Sequence, residues 1–271
     1  MKEFRIEDLS LKDLTDNEGE VLKILQGEVD FYYKVHLKND NKKLIAFSNG
    51  AFDPKRSTPP VFMRSKWFDD FEANCIFIDD RTVHGNNLRI GWGVGTTDRH
   101  YLKSYISFVK KVSSLLEIVN KDILYFGSSA GGFMSMAMAS MHKGTYAIVN
   151  NPQTYVNRYL RQYVTALYKK SFPGLTEKEI MKKYSNRLSI INIFAKNKNV
   201  PKVYYLQNRL CLTDMENHLI PFLENMDKYK LNSKNINVVL YNNKLAGHNP
   251  ASKKRTIAYV NNILKGDVHL Y

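Results

Sequence analysis

Residues 122–142 read DILYFGSSAGGFMSMAMASMH, and the fold follows from this stretch. The apolar run 122–126 predicts a short buried strand. The alternation of small and apolar residues from about 130 to 142 predicts a helix. Between them lies Gly127-Ser128-Ser129-Ala130-Gly131, a GxSxG turn with Ser129 in the central register. A serine at a sharp strand-to-helix corner needs flanking residues without side chains, and its hydroxyl then projects above the sheet. The helix beginning at Ala130 directs its N–H groups and positive dipole end at developing negative charge. The competing reading is a small-residue helix N-terminus packed tightly on a sheet and gripping a phosphate.

Outward from this corner, strands and helices alternate. Strands are predicted at 31–38, 43–48, 74–79, 145–150, 201–206 and 235–241, and helices at 101–119, about 215–229 and about 252–265. That order predicts an α/β fold: a mainly parallel sheet flanked by helices, in a single domain over 1–271. Residues 154–195 read as all-helical, with a break at Pro173-Gly174 and a capping box from Thr176 to Glu179. The segment of about 152–195 is too long for an ordinary crossover and is expected to form a helical cap.

A serine nucleophile needs a base, and the base needs an orienting acid. His248, in the loop after strand 235–241, stands where the base belongs; Asp214, in the loop after strand 201–206, stands where the acid belongs. Asp214 has a second reading as N-cap of the helix near Met215. His218, one helical turn on, is a local partner of Asp214 or a pocket residue. His36, His84, His100, His142 and His269 show no metal spacing, and no metal is expected. His142, closing the nucleophile helix, is placed to complement its dipole. The oxyanion hole is expected from the Ala130 amide and the Gly50 or Ala51 amide. Trp92, in Gly91-Trp92-Gly93-Val94-Gly95, either walls the pocket for sugar stacking or is an ordinary buried tryptophan. Arg81, Arg89 and Arg99 flank that loop and either hold phosphate or are solvated.

The chain carries 40 Lys+Arg against 26 Asp+Glu, a net charge of +14. A field of that sign attracts polyanions, anionic cofactors and acidic surfaces. A lysine-rich soluble surface accounts for it equally well, and no nucleic-acid motif accompanies it. No stretch approaches the ~20 apolar residues of a membrane helix, and the start does not read as a signal peptide. Two cysteines, Cys75 and Cys211, are too few for a disulfide framework; they read as core thiols in a cytoplasmic setting.

Ser129 in its Gly-Ser-Ser-Ala-Gly-Gly run, followed in order by Asp214 and His248, resembles the α/β-hydrolase superfamily from about residue 30 onward. More narrowly, Gly91–Gly95, the serine run, and Gln207-Asn208 ahead of Asp214 and His218 resemble a bacterial group of surface-polysaccharide (capsule-type) serine O-acetyltransferases. The resemblance implies that Ser129 takes an acetyl group from acetyl-coenzyme A and passes it to a polysaccharide or glycan hydroxyl, with His248 as base and acid and Asp214 orienting it. An anionic glycan acceptor would suit the charge. Water as acceptor would make the same triad a carboxylesterase or deacetylase. A non-catalytic glycan- or polyanion-binding protein on a hydrolase scaffold is the third reading.

Overall fold

The computed structural model describes residues 1–266; His269 lies outside the described residues. Nine strands form one sheet: β1 Lys2–Arg5, β2 Val21–Gln26, β3 Val29–His36, β4 Leu44–Ser48, β5 Asn74–Ile78, β6 Ile123–Ser128, β7 Tyr146–Asn150, β8 Lys202–Asn208 and β9 Ile236–Tyr241. Their order is β1-β2-β3-β5-β4-β6-β7-β8-β9. From β5 through β9 every pairing is parallel; β3 is antiparallel to both its neighbours, β2 and β5.

The central strands are sealed on both faces, which is why they read as continuous apolar runs. In β6, Ile123 and Tyr125 enter one core while Leu124 and Phe126 enter the other. β4 and β5 alternate in the same way, with Phe47 and Phe77 stacked 4.7 Å apart beside Phe126. Helices Tyr101–Leu115 and Ala130–Met141 cover the first face; helix Lys253–Lys265 and the segment around Phe71 cover the second. Because β4 lies between β5 and β6, the chain reverses its direction of travel there. Such a switch point opens a crevice beyond the carboxyl ends of the strands, where ligands bind.

Residues 152–197 form three helices, Arg161–Ser171, Glu177–Leu188 and Ile190–Asn197. The capping box is present: Thr176 Oγ1 accepts from the Glu179 N–H and the Glu179 carboxylate accepts from the Thr176 N–H. Val164, Leu167, Ile180 and Leu188 join the same core as the first face of the sheet.

Three local expectations change. Residues before 30 are part of the sheet: β1 and β2 flank a short helix, Leu11–Asp16, capped reciprocally by Ser10 and Asp13. The helix expected over 101–119 stops at Leu115, because Glu117 turns left-handed (φ 55°) and the Ile118 N–H closes onto the Ser113 carbonyl. The helix expected over 215–229 opens with a widened π turn, Met215–Leu219, before Ile220–Lys228. Pro221 has no N–H to give the carbonyl four residues back, and its ring crowds that carbonyl.

The serine corner is closed by backbone on both sides. A Cβ on Gly131 would lie 2.5 Å from the Ser48 carbonyl oxygen, and one on Gly127 would overlap the Gly131 carbonyl. No flexible side chain there can give way. Gly131→Ala should therefore destabilise the fold by ~1–3 kcal/mol through overpacking, read as a lower urea midpoint at unchanged m-value. An unchanged midpoint would show that β4 and the helix can separate freely.

Candidate active site

Ser129 follows β6 directly and is the N-cap position of helix Ala130–Met141, with φ 55° and ψ −124°. This is a sparsely populated region for a residue with a side chain, and it persists only where surroundings over-determine it. Here they do. The Ser129 carbonyl accepts from the N–H groups of Gly132, Phe133 and Gln153, and the Ser129 N–H donates to the Asn150 carbonyl.

The structure brings the three sequence-chosen residues into one hydrogen-bonded chain. His248 Nε2 lies 2.9 Å from Ser129 Oγ, and His248 Nδ1 lies 2.7 and 2.9 Å from the two Asp214 oxygens. A carboxylate only accepts, so Nδ1 carries the proton and Nε2 is left to accept from the serine hydroxyl. Asp214 is buried and makes no helix-capping bond, so the capping alternative gives way to the contact with His248. His248 itself is half-open, its side chain 38% exposed.

The amides of Ala130, Gly50 and Ala51 donate to no protein acceptor among the described residues. A Cβ on Gly50 would sit 3.7 Å from Ser129 Cβ, which places this loop directly beside the serine. Free N–H groups flanking a hydroxyl in this way can receive a developing oxyanion.

His218 is buried in the π turn and lines the same groove as Asp214 and His248, but it is not bonded to Ser129. Its Nδ1 accepts from the Thr154 N–H, and its carbonyl accepts from Thr154 Oγ1. Burial pushes it down to about 4, so at neutral pH it is an uncharged ring. Trp92 does not wall the groove. It is sealed from solvent, and its indole N–H donates to Gln153 Oε1 at 2.6 Å. Its contribution is indirect, since Gln153 in turn holds the Ser129 carbonyl.

Arg81 and Arg99 are committed to the fold, Arg81 to Asp30 and Arg99 to the Gln26 carbonyl and Ser104. Arg89 reaches the Phe52 carbonyl. His142 does not serve the helix dipole as a cation: burial pushes it down to about 4, and it lies between Tyr125 and Asn120. Cys75 is a core thiol, whereas Cys211 lines the groove. Cys211, Asp214 and His248 are the one trio of such groups among the described residues with ligand atoms within 4.8 Å of one another. The Asp214 carboxylate in that trio is already engaged by His248.

Three buried asparagines also belong to the site; the sequence reading missed Asn150 and Asn151 and named Asn208 only within the Gln207-Asn208 motif, without this role. Asn151 donates to the carbonyls of His248 and Asn249, and its own oxygen accepts from the Asn208 N–H. Asn208 donates to the carbonyls of Asn243 and Gly247. Asn150 accepts from the Ala251 N–H. Together they tie the His248 loop to the ends of β7 and β8. The available signal was an amide side chain closing each of two apolar strands, in YAIVNN and YYLQN.

The groove at Asp214, His218 and His248 has a volume of about 500 Å³ and is lined in part by Arg158, Tyr159, Arg161, Thr213 and Asn217. No helix among the described residues is long and apolar enough to cross a membrane.

No family model and no curated protein matches the chain. Solved structures do match, and they define the class as the α/β-hydrolase fold. The capsule O-acetyltransferase of Neisseria meningitidis serogroup A aligns at TM-score 0.62 with 14% identity, over 90% of this chain and 93% of that one. A histidine-to-alanine mutant of the same enzyme in complex with CoA aligns at TM-score 0.63 with 14% identity, over 94% and 99%. Carboxyl esterase 2 from Tuber melanosporum aligns at TM-score 0.60 with 11% identity, over 92% and 87%.

The asparagine supports can be tested directly. Asn151→Ala keeps Ser129, Asp214 and His248 unsubstituted but removes the bonds to the His248 and Asn249 carbonyls that hold their loop. Turnover should fall about tenfold to a hundredfold, the equivalent of ~1–3 kcal/mol for lost buried hydrogen bonds, with KM little changed; a purely structural asparagine would lower stability and leave turnover per folded molecule intact. A second prediction concerns acid. His100, His142 and His218 are buried and neutral, pushed by burial from an ordinary 6.5 to about 3, 4 and 4. Below pH ~6.5 the unfolded chain binds protons that the folded chain refuses, so stability falls with pH through the window from about 6.5 to 4. Each group contributes up to ~1.4 kcal/mol per pH unit there. Urea unfolding at pH 7.5 and pH 5 measures the slope, and His142→Gln should flatten it.

Proposed function

We propose that this protein is a serine acyltransferase that O-acetylates a cell-surface polysaccharide from acetyl-coenzyme A. The observation that carries the reading is the hydrogen-bonded chain from Asp214 through His248 to Ser129, on a serine whose backbone is held in a strained corner. The identities of the structural neighbours, a capsule O-acetyltransferase and an esterase, support the same chemistry.

In the first half-reaction, His248 Nε2 takes the Ser129 hydroxyl proton as Oγ attacks the thioester carbonyl. The oxyanion forms against the amides of Ala130 and of Gly50 or Ala51. His248 then returns the proton to the departing thiolate, which leaves as coenzyme A, and Ser129 is left acetylated. In the second half-reaction, a sugar hydroxyl gives its proton to His248 and attacks the acetyl-serine carbonyl. Collapse of that intermediate releases the acetylated sugar, and Ser129 recovers its proton from His248. Asp214 keeps the imidazole oriented and balances its positive charge in both attacks. Arg158 on the groove suits an acidic acceptor, whereas Arg161 is paired with Glu177 at 2.7 Å, and Tyr159 offers a ring face to a sugar. The coenzyme A donor and the two free thiols are consistent with a cytoplasmic setting.

A second reading, carboxylesterase or deacetylase, has support in the exposed edge of His248, which water can reach. Product analysis separates the two. With acetyl-coenzyme A, Ser129 should gain one acetyl group by mass spectrometry, and an added glycan should become acetylated. Ser129→Ala should abolish both, a loss of about 10⁴-fold or more. Thioester hydrolysis with no acetyl ever reaching glycan would leave the esterase. Failure of Ser129 to react with a fluorophosphonate probe would leave a binding protein.

A further inference from the structure

Arg64 lies in the long connection between β4 and β5, immediately before the 3-10 turn Ser65–Asp70, and adopts a left-handed backbone (φ 67°). Its Nη2 donates to Ser128 Oγ at 2.7 Å, one residue from the nucleophile. Its guanidinium carbon stands 5.4 Å from the Phe126 ring centre and 5.7 Å from that of Trp67. Nη1 is sealed from solvent and has no hydrogen-bond partner among the described residues. No carboxylate is among the contacts of this guanidinium, in contrast to Arg81, which holds Asp30 at 2.9 Å. Burial lowers it to about 10, so it remains charged at neutral pH.

A buried cation with neither a counter-charge nor a full set of acceptors is costly. A purely structural filler of the slot between Phe126 and Trp67 would do better as an uncharged chain of similar volume. The conformational strain at the backbone adds to that cost. What the arrangement provides is a guanidinium end with one donor free on Nη1 and a second releasable from Ser128. That fork matches the oxygens of phosphate, which arginine grips bidentately.

We propose that Arg64 anchors a phosphate group of the ligand that docks over Ser129. The inference rests on the acyl-transfer reading for its choice of ligands: the phosphate belongs either to the coenzyme A donor or to a phosphate-bearing glycan acceptor. It makes Arg64 a specificity residue that the three arginines flanking Gly91–Gly95 do not replace.

The test is made by calorimetry in the Ser129→Ala protein, which removes turnover from the measurement. Coenzyme A, pantetheine and a sugar 1-phosphate are the probes, with Arg64 intact or changed to Met or Lys. Arg64→Met should weaken coenzyme A or the sugar phosphate by about tenfold to a hundredfold, leave pantetheine unaffected, and not lower the unfolding temperature. Loss confined to coenzyme A assigns the anchor to the donor; loss confined to the sugar phosphate assigns it to the acceptor. Arg64→Lys keeps the charge without the fork and should show a smaller loss; it carries the comparison alone if the Met variant does not fold. Unchanged affinity for both phosphates, or no binding of either to the Arg64 protein, overturns the proposal. Because each readout is binding, a failure of Ser129 to accept an acetyl group leaves this result standing on its own.

Discussion

The backbone of Ser129 is the constraint on which the site depends. A side chain at φ 55°, ψ −124° is held there by packing, not by preference. Gly127 and Gly131 let β6, β4 and the helix meet at backbone distance, and the Ser129 carbonyl is caught by three N–H groups. One of those donors, Gln153, is itself fixed by the buried Trp92. A glycine-rich loop some forty residues upstream thus bears on the nucleophile without touching it.

The base is positioned by a different mechanism. His248 belongs to a loop with little regular structure and half-open surroundings, yet its two ring nitrogens must meet Asp214 and Ser129 at once. The carbonyls of Asn243, Gly247, His248 and Asn249 are each gripped by a buried asparagine amide from the end of β7 or β8. Amides suit this task because they pair with backbone carbonyls without introducing a charge that would perturb Asp214. The sheet's own carboxyl edge therefore serves as the template for the loop that carries the base.

How much of this could be read from the sequence depends on the range over which each signal acts. Ser129, Asp214 and His248 were legible because each lies just after an apolar strand, and the parallel topology brings such positions together. The strands β4 through β8 were legible because burial on both faces makes them continuous apolar runs. β1 and β2 were not: Val21–Gln26 turns only Leu22, Ile24 and Gln26 inward, and a half-polar strand of six residues carries a weak period. The role of the asparagines was not legible, even for Asn208 in its quoted motif, because an amide at a strand end has many uses and only its distant carbonyl partners reveal this one. Arg64 was one cation among forty, in a proline-interrupted segment with no period; that its Nη1 is sealed without a partner is visible only in three dimensions.

On the proposed reading, whether the acyl group goes to sugar or to water turns on solvent access rather than on Ser129, His248 and Asp214. A triad sealed from water could transfer only to whatever entered the groove. Here 38% of the His248 side chain is exposed, so a water molecule can occupy the position of an acceptor hydroxyl. Transfer prevails over hydrolysis only if the acceptor itself covers His248 while the acyl-serine exists. On that reading the burden of selectivity would fall on groups able to hold a large acceptor across the opening, such as Arg158 and Tyr159 on the segment after β7. Under the proposed chemistry, Ser129, His248 and Asp214 would make acyl transfer possible, and the residues around them would decide which nucleophile completes it.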